Sequence, residues 1–384
     1  MAHCFVCHHP SEDPVYVASG MTSITSLCQT IPGETTVHFC QNCGHLQTQP
    51  LLDLDAYYAK HYRILVETEE EDQLYSVENG RTIFRTDHQV DTLLSHVDLP
   101  EGARVLDYGC AKSATLKRLC QCRNDLQPHV FDVSEMYVPF WEKFVADDHW
   151  ATFQPKLEWR GHFDVVTSFF ALEHVADPQD VLQTIASLLK PGGTFYGIVP
   201  NVYTNTADFV VADHVNHFSA GSLRHLLAMK GFSLVNLDES AHHGAFVVVA
   251  KKGGAAPATP VTTGALENLA EQVRIMAGYW QGFSNRVKEF EASQTAAQSV
   301  AIFGSGFYGT FIATCLNNLE KVVCFVDQNP HRLTQTLLDK PIVPPEQLPP
   351  EVEVVYVGLN PLRAQAEIRS IAAWQNKPHT YFYP

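Results

Sequence analysis

The sequence predicts an α/β protein with a doubly wound central unit, a small cysteine-rich module before it and a second α/β unit after it. Three observations predict this arrangement. Strand-like hydrophobic segments alternate with helix-like segments over most of the chain. Two glycine turns, one at Gly109 and one at Gly304-x-Gly306-x-x-Gly309, each lie between such a strand and a helix. Two Cys-x-x-Cys pairs precede both turns.

Composition narrows the class of protein. The chain has 384 residues, of which 45% are hydrophobic, so we expect two or three globular domains. The sequence contains no apolar run long enough for a transmembrane helix and no secretory signal at its start. A net charge of −16 argues against nucleic-acid binding. We therefore expect a cytoplasmic protein that binds neither nucleic acid nor membranes.

The first predicted segment, residues 1–55, carries Cys4-x-x-Cys7 and Cys40-x-x-Cys43. Each pair can present two thiolates to one tetrahedral Zn²⁺ ion. Four thiolates leave no open position for water, so the predicted zinc is structural. The alternative is a set of buried free thiols.

Residues 56–95 are predicted to form a helical connector that contributes to the active site. An acidic run at 67–72 is interpreted as the solvated face of a helix. Tyrosines are frequent in this connector, and one of them is a candidate to enter a catalytic cleft.

Residues 96–252 form the predicted central domain. Segments with strand character alternate with segments of helical character, which indicates a mostly parallel sheet. The predicted strands are 104–108, 128–132, 163–169, 194–199, 232–238 and 245–251. The predicted helices are 113–119, 137–144, 178–189 and 220–230.

Residues 253–295 begin as a Pro/Gly-rich linker and continue as a long helix with one apolar stripe, which we interpret as a packing face. Residues 296–384 form the predicted second α/β unit, a Rossmann-like domain. Its predicted strands are 300–303, 322–326 and 352–357.

Several polar residues of the central domain follow its predicted strands. Asp107 and Gly109 come at the end of the first strand, and Asp132 ends the second. An acid at that second position can bind ribose hydroxyls. Glu173-His174 follows the third strand, and Pro191-Gly-Gly193 precedes the core of the fourth.

This ordered set resembles the class I S-adenosylmethionine-dependent methyltransferases, although Ala111 and Ser113 stand where that family usually has glycine. The resemblance implies S-adenosylmethionine as cofactor. The cofactor-binding candidates it gives lie on the turn and after the next two strands: Asp107, Gly109, Cys110, Asp132, Ser134, Glu173 and His174.

The order of cysteine module, methyltransferase core and Rossmann-like unit resembles the sugar C-methyltransferases along essentially the whole chain. That family methylates carbon 3 of nucleotide-linked 4-keto deoxysugars. Its Glu-His pair corresponds here to Asp213-His214, and Val211 stands where a tyrosine is usual. The resemblance therefore implies a nucleotide-sugar substrate.

Methylation next to a ketone requires removal of a proton from carbon, and a histidine is a suitable general base. We expect His214 to be that base and Asp213 to support it. His217 or Asn216 is the expected partner of the enolate oxygen. By resemblance a tyrosine of the connector also enters the site, with Tyr62 and Tyr75 as candidates.

Substrate binding is expected from further residues of the central and C-terminal units: Asn201, Asn216, Gly304, Gly306, Gly309 and Asp327. Taken alone, the second glycine turn and Asp327 suit a dinucleotide such as NAD. However, the unit is short for a complete dinucleotide fold, so we expect it to help hold the nucleotide of the sugar.

Two alternatives remain. One is transfer of the methyl group to oxygen or nitrogen of a sugar or other small molecule. The other is a non-catalytic protein that binds a nucleotide sugar or cofactor, which Ala111 and Ser113 motivate because function does not follow from fold. The sequence leaves the sugar, the methylated atom and the choice between monomer and homodimer open.

Overall fold

The computed structural model describes residues 3–10, 13–18, 20, 22–64, 66–78, 81–254, 261–333, 335–375 and 379–384. The chain divides into two compact units. The first contains Met1–Val17 and Thr35–Arg274, and the second contains Ala18–Glu34 and Ile275–Pro384. Residues 18–34, which the sequence places inside the cysteine module, thus belong to the same unit as the C-terminal domain.

The N-terminal region forms short strands around the two cysteine pairs. These strands are β1 (Tyr16–Val17), β2 (Thr22–Ile24), β3 (Thr30–Pro32), β4 (Thr36–Phe39) and β5 (Leu46–Thr48). In the first unit, β1, β4 and β5 pair antiparallel. In the second unit, β2 and β3 form a separate hairpin.

The connector is not helical throughout, which corrects the expectation for residues 56–95. It contains helix α1 (Leu54–Ala56), one π-helical turn (Tyr57–His61), strands β6 (Leu74–Glu78) and β7 (Arg81–Phe84), and helix α2 (Arg85–His96). The antiparallel pair β6–β7 replaces the predicted helix. Aromatic and β-branched residues such as Tyr75, Val77 and Ile83 favour strands, and the Asn-Gly dipeptide at 79–80 is a strong hairpin signal.

The central domain alternates strands and helices as predicted. Its strands are β8 (Arg104–Tyr108), β9 (Gln127–Asp132), β10 (Trp150–Thr152), β11 (Phe163–Phe169), β12 (Leu189–Pro200), β13 (Asn216–His217), β14 (Phe232–Asp238) and β15 (Ala245–Lys252). Its helices are α3 (Ala114–Cys122), α4 (Val138–Trp141), α5 (Pro178–Leu188) and α6 (Ala220–Met229). Short 3₁₀ turns lie at Glu135–Tyr137, Leu157–Trp159, Leu172–His174 and Thr206–Val210.

Seven of these strands form one sheet in the order β10-β9-β8-β11-β12-β15-β14. All pairings are parallel except those of β15, which runs antiparallel to both β12 and β14. Apolar side chains such as Val105, Leu106 and Val166 are fully buried because helices cover both faces. The order reverses between β8 and β11, and ligands bind at such a switch point outside the carboxyl ends of the strands.

The eighth strand, β13, joins the cysteine module instead. It pairs antiparallel with β5 and completes the four-stranded sheet β1-β4-β5-β13. The chain therefore returns from the central sheet to the cysteine module directly after His214.

Helix α7 (Thr263–Ser293) follows the predicted linker, of which residues 255–260 lie outside the described part of the chain. The apolar stripe packs as predicted within the second unit. Trp280 and Phe283 contact Phe311, with ring centroids 4.9 and 5.2 Å apart, and Phe290 contacts Tyr356 at 5.3 Å.

The second unit has a Rossmann-like sheet in the order β18-β19-β17-β16-β20-β21, parallel except for β18. Its strands are β16 (Val300–Phe303), β17 (Val322–Val326), β18 (Thr336–Leu337), β19 (Lys340–Val343), β20 (Val354–Val357) and β21 (Thr380–Phe382). Its helices are α8 (Phe307–Cys315) and α9 (Pro361–Ser370), with 3₁₀ turns at Leu319–Lys321, Pro345–Gln347 and Ala372–Trp374.

Within the described residues, no helix combines the length and the apolar character that crossing a membrane requires.

Candidate active site and metal centre

The first glycine turn lies at the carboxyl end of β8, next to the switch point. Gly109 has φ +68°, and a Cβ added there would lie 2.8 Å from Cβ of Ala171. Ala111 and Ser113 also adopt left-handed φ, at 46° and 56°. Ala111 and Ser113 stand where the related methyltransferases usually have glycine, and both adopt a backbone conformation that glycine tolerates best. The turn therefore keeps the left-handed conformation although these two positions are not glycine.

Side chains at this turn hold it in place. The Asp107 carboxylate accepts hydrogen bonds from Oγ of Ser113 at 2.7 Å and from Oγ1 of Thr167 at 3.1 Å. Burial raises the pKa of Asp107 to about 6 despite these hydrogen bonds. Ser113 therefore contributes a contact that glycine would lack.

Asp132 lies at the carboxyl end of β9, beside the turn. It accepts the backbone N–H of Ala111 at 2.7 Å through one oxygen and that of Ser134 at 3.0 Å through the other. Burial raises its pKa to about 6. The predicted cofactor residues Asp107, Gly109, Cys110, Asp132 and Ser134 thus converge on one edge of the sheet.

The acidic segment 67–72 is tied to this turn rather than forming a solvated helix. Nζ of Lys112 donates to the backbone oxygens of Thr68, Glu69 and Glu71 at 3.1, 3.0 and 2.7 Å. Glu69 also pairs with Lys117 and Lys143. Three lysines therefore hold this segment against the turn, Lys112 through the backbone of the segment and Lys117 and Lys143 through the Glu69 carboxylate.

A buried carboxylate joins two of the predicted histidines. Oδ1 of Asp208 lies 2.5 Å from Nδ1 of His214, and its Oδ2 lies 2.8 Å from Nδ1 of His217. Burial would raise the pKa of Asp208, but the two imidazoles hold it below its usual range. Burial would lower the pKa of His214, but Asp208 raises it to about 9. The carboxylate hydrogen-bonded to His214 is therefore Asp208, whereas the predicted Asp213 contributes only through its charge.

Asp213 contacts a different histidine. Its backbone oxygen accepts from the hydroxyl of Tyr58 at 2.7 Å and lies 3.2 Å from Nδ1 of His174. The Tyr58 hydroxyl is also 2.5 Å from Nδ1 of His174. The rings of His174 and His214 meet edge to face with centroids 4.6 Å apart. Burial and His214 lower the pKa of His174 to about 4, so this imidazole is neutral at neutral pH.

Of the two predicted tyrosines, the structure brings Tyr62 to this cluster and leaves Tyr75 elsewhere. The ring of Tyr62 lies 5.1 Å from Tyr58 and 5.4 Å from His174. Tyr75 instead stacks on His88 at 3.7 Å, and its hydroxyl accepts the backbone N–H of His243. Its place in the β6 hairpin, which the helical expectation missed, explains the difference.

His217 and Asn216 are locked in the scaffold, which argues against their expected contact with the enolate oxygen. His217 is fully buried between Asp208 and Oγ1 of Thr48, which is 2.8 Å from its Nε2. Asn216 donates to the backbone oxygens of Leu172 and Val175. Both residues lie in β13, where pairing with the cysteine module turns them inward.

Asn201 and Glu173 each keep an unpartnered polar atom. Asn201 follows β12 and is 1% exposed, and its Nδ2 has no hydrogen-bond partner among the described residues. Glu173 is also 1% exposed, and its Oε2 likewise lacks a partner there. Burial raises the pKa of Glu173 to about 8. Such buried atoms at the carboxyl edge of a sheet suit contact with a polar ligand.

Sequence reasoning missed Asp208 and Tyr58. Asp208 lies six residues before His214, so proximity in the chain was an available signal, but the adjacent Asp213 displaced it. Tyr58 lies four residues before Tyr62, one helical turn away, and only the π-helical turn places both rings beside His174.

The four predicted zinc ligands meet at one point. The sulfur atoms of Cys4 and Cys43 are 3.6 Å apart, and those of Cys7 and Cys40 are 3.5 Å apart. All four lie within 4.8 Å of one another. Tetrahedral Zn²⁺ with bonds of about 2.3 Å separates its sulfurs by about 3.8 Å, so the cluster fits that ion.

Close backbone packing explains why two of the three positions in the second glycine turn are glycine. A Cβ on Gly304 would lie 2.4 Å from the backbone oxygen of Gly358, and one on Gly309 would lie 2.0 Å from that of Gly304. Gly306 alone has no atom within 4 Å of such a Cβ. Asp327 accepts the backbone N–H of Ser305 at 2.9 Å. Of the three glycines of this motif, only Gly306 has open space for a ligand.

Comparison with known proteins gives matches to the central part of the chain. Residues 85–237 match the family model described as a methyltransferase domain. Ubiquinone biosynthesis O-methyltransferase of Xanthomonas campestris pv. campestris (strain B100) is 36% identical over 115 residues, which are 28% of this chain and 47% of that protein. The same-named protein of Xanthomonas axonopodis pv. citri (strain 306) is 36% identical over 104 residues, or 25% and 43%. The chain thus spans less than half the length of these curated relatives.

Solved structures also match this part of the chain. An S-adenosylmethionine-dependent methyltransferase from Mesorhizobium loti gives a TM-score of 0.37 at 17% identity and covers 44% of this chain and 100% of its own. The 1,6-didemethyltoxoflavin-N1-methyltransferase of Burkholderia thailandensis gives 0.34 at 19% identity, covering 44% and 78%.

The strand order and the family match together define the class of the central domain. It matches a methyltransferase domain and has the class I, Rossmann-like α/β fold, as the sequence predicts. The chain carries this domain between a four-cysteine module and a second Rossmann-like unit.

Proposed function

We propose that this protein transfers a methyl group from S-adenosylmethionine to the carbon next to the ketone of a nucleotide-linked keto-deoxysugar. The observation that carries the proposal is the pair Asp208–His214, a carboxylate-supported imidazole at the carboxyl edge of the sheet, beside His174 and Tyr58. Such a pair is equipped to remove a proton from a weak acid.

The cofactor site lies at the turn after β8. Gly109 leaves room for close approach, and the buried carboxylate of Asp132 lies where ribose hydroxyls bind in such folds. These residues fit the cofactor, and Asp132, Ser134 and the backbone of the turn are its proposed ligands. When bound, S-adenosylmethionine supplies an electrophilic methyl group and leaves as S-adenosylhomocysteine.

His214 is the proposed general base. Its Nδ1 faces Asp208, so the carboxylate fixes the tautomer in which Nδ1 carries the proton and Nε2 accepts one. His214 takes the α proton of the ketone, and the electron pair of that C–H bond becomes available to the methyl group. Its side chain is 12% exposed, which excludes most water from the base while leaving access for a substrate.

Tyr58 and His174 are the proposed neighbours of the reacting ketone. His174 is neutral, and its Nδ1 is engaged by the Tyr58 hydroxyl. By turning its proton from the backbone oxygen of Asp213 to the ketone, the Tyr58 hydroxyl stabilises negative charge on the enolate oxygen. Tyr58 thereby takes the role that the sequence assigned to His217 or Asn216. It lies beside Tyr62, one of the two tyrosines expected to enter the site.

The four-cysteine cluster is proposed to hold one structural zinc ion. Its module pairs with β13, which directly follows His214. The metal would therefore stabilise the sheet that positions the base. We further propose that Gly306, the open position of the second glycine turn, contributes to binding the nucleotide of the substrate.

Methyl transfer to oxygen is a second candidate, which the likeness to ubiquinone biosynthesis O-methyltransferases favours. An Asp–His pair can also deprotonate a hydroxyl group. The two candidates differ in the proton that is removed.

Deuterium exchange distinguishes them. The purified protein is incubated in D₂O with a thymidine diphosphate-linked 4-keto-6-deoxy sugar, without cofactor, and the α-carbon proton is followed by NMR. Carbon methylation predicts exchange that His214→Asn abolishes, and a methyl group on that carbon after S-adenosylmethionine is added. A methylated product without enzyme-dependent exchange would contradict it and support transfer to oxygen.

A further inference from the structure

Polar groups around the ring of Phe170 lack the partners that such groups usually have. Phe170 directly follows β11 and has a left-handed φ of 54°, a conformation that bulky residues rarely adopt. The Arg85 guanidinium lies 3.8 Å above its ring. The ring of His242 lies 5.3 Å from it. Glu173 follows three residues later in the chain. Strain of this kind is concentrated at functional sites.

Arg85 and Glu173 interact electrostatically without forming an ion pair. Burial is the main influence on the pKa of each group, and each group also acts on the other. Within the part of the chain that the structure describes, no Lys, Arg or His nitrogen lies within 4.0 Å of the Glu173 carboxylate, although nitrogens of His174 and His214 lie within 4.8 Å of one of its oxygens. Arg85 has no carboxylate within 4.0 Å there either. Among the described residues, the Arg85 guanidinium donates a side-chain hydrogen bond to the amide oxygen of Gln73. Burial keeps the Glu173 carboxyl group mostly protonated at neutral pH, so it has no charge with which to pair the guanidinium and stays available to a polar ligand.

His242 adds an acceptor to the same place. It is 5% exposed, and its Nε2 has no partner among the described residues. Its Nδ1 lies 3.2 Å from the backbone oxygen of His243 and donates its proton there, so Nε2 carries a lone pair. Burial and the Arg85 charge lower the pKa of His242 to about 3, in keeping with this neutral form. The region around Phe170 therefore offers a cationic donor, a carboxyl group and a neutral acceptor to one polar ligand.

We propose that Arg85 and Glu173 recognise two neighbouring groups of the acceptor, Arg85 by donating to its carbonyl oxygen and Glu173 by accepting from an adjacent hydroxyl. The inference builds on the proposed keto-sugar activity and adds the residues that select a ketone with a hydroxyl beside it. His242 accepts from a further hydroxyl. The Glu173 carboxyl group keeps an accepting oxygen in either protonation state.

The two contacts differ in their effect on the reaction. When the α proton leaves, the carbonyl oxygen becomes negative, so the guanidinium binds it more strongly in the transition state than in the ground state. Arg85 therefore acts mainly on kcat. The hydroxyl keeps its charge throughout, so Glu173 contributes similarly to both states and acts mainly on KM.

The test uses the full-length protein with the same thymidine diphosphate-linked 4-keto-6-deoxy sugar. We expect Arg85→Gln to slow both α-proton exchange and kcat by about 10²–10³-fold. We expect Glu173→Gln to raise KM by about tenfold with a smaller change in kcat. The Kd of S-adenosylmethionine, measured by calorimetry, should stay within about twofold in Arg85→Gln, since Arg85 is not a cofactor-binding candidate. The same result in Glu173→Gln separates acceptor binding from the cofactor contact expected of Glu173 from the sequence, and a large rise in that Kd would overturn its part in the inference. Arg118→Gln, at an exposed arginine paired with Asp87, is the matched control.

Should Arg85→Gln fail to fold by its thermal transition, Arg85→Lys carries the test, because it keeps the charge and removes the planar fork. At least a tenfold loss of exchange is then expected. If either folded Arg85 variant exchanges the α proton as fast as Arg118→Gln, the inference is wrong while the proposed function stands. If the wild-type protein binds S-adenosylmethionine but neither exchanges nor methylates the keto sugar, the proposed function fails and this inference fails with it.

Discussion

Asp208 and His214 are six residues apart in the chain and 2.5 Å apart at Oδ1 and Nδ1. The same carboxylate also contacts His217, whose other nitrogen lies 2.8 Å from the hydroxyl of Thr48. A line of contacts thus runs from the proposed base to β5 of the cysteine module. Each step of it fixes the tautomer and orientation of the next imidazole.

Asp208→Asn is expected to lower kcat/KM for methyl transfer by about 10²–10⁴-fold, because the amide cannot hold Nδ1–H of His214 with a negative charge. The measurement is steady-state kinetics with the keto sugar, with Asp148→Asn, at a residue whose side chain is 85% exposed, as control. Activity within threefold of the control would contradict the role of Asp208.

The pH dependence follows from the raised pKa of His214. Only the neutral imidazole accepts a proton, so kcat/KM should rise with pH and level off above about 9, the pKa of His214. In Asp208→Asn the group that raises this pKa is lost, so the midpoint should move to lower pH while the plateau falls. An unchanged midpoint in the variant would show that another group controls the rise.

The left-handed turn at Ala111 predicts a stabilising substitution. Ala111→Gly should raise the free energy of unfolding by about 1 kcal/mol, because glycine adopts φ +46° without steric strain. Urea denaturation measures the change. Ala186→Gly removes the same methyl group from the interior of α5 and should destabilise the protein instead. A loss of stability in both variants would mean that Ala111 is not strained.

Alanine substitutions at Gly309 and Gly306 of the second glycine turn should differ in their effect on stability. Gly309→Ala places a Cβ 2.0 Å from the backbone oxygen of Gly304 and should lower the free energy of unfolding by about 1–3 kcal/mol or more. Gly306→Ala meets open space and should leave stability within about 0.5 kcal/mol. If Gly306 contacts the nucleotide as proposed, this variant should raise KM for the nucleotide sugar. An unchanged KM would argue against that contact.

The cysteine cluster predicts one zinc ion per chain by elemental analysis. A chelator should release it and unfold the module, since structural zinc binding supplies folding free energy. Cys43→Ser should lose the metal, whereas Cys122→Ser, at an exposed cysteine outside the cluster, should retain it. Retention of zinc in Cys43→Ser would contradict the four-cysteine site.

The sequence predicts the central strands well because parallel strands that are buried on both faces have continuous apolar sequences. The segments 104–108, 163–169 and 232–238 are found with the predicted bounds. The prediction of a helix at 74–84 is wrong. The polarity of this segment suggested a helix, whereas its Asn-Gly dipeptide at 79–80 favours a hairpin.

Some residues of the candidate site could likewise be predicted from the sequence, and others could not. Residues at strand ends, such as Asp107 and Asp132, could be found because strand order fixes their edge of the sheet. The partner of His214 could not, since Asp213 is adjacent to His214 in sequence and Asp208 lies six residues away, and only the 3₁₀ turn Thr206–Val210 brings Asp208 to the imidazole.

The pairing of β13 with β5 bears on how this chain can be shortened. A fragment that begins after the cysteine module would retain β13 but lose its strand partner β5, together with the hydroxyl of Thr48 that meets His217. The unpaired backbone groups of β13 would then face solvent next to His214. The methyltransferase domain is therefore continuous in sequence but not separable in space, and a shortened protein for biochemical work should retain the N-terminal residues.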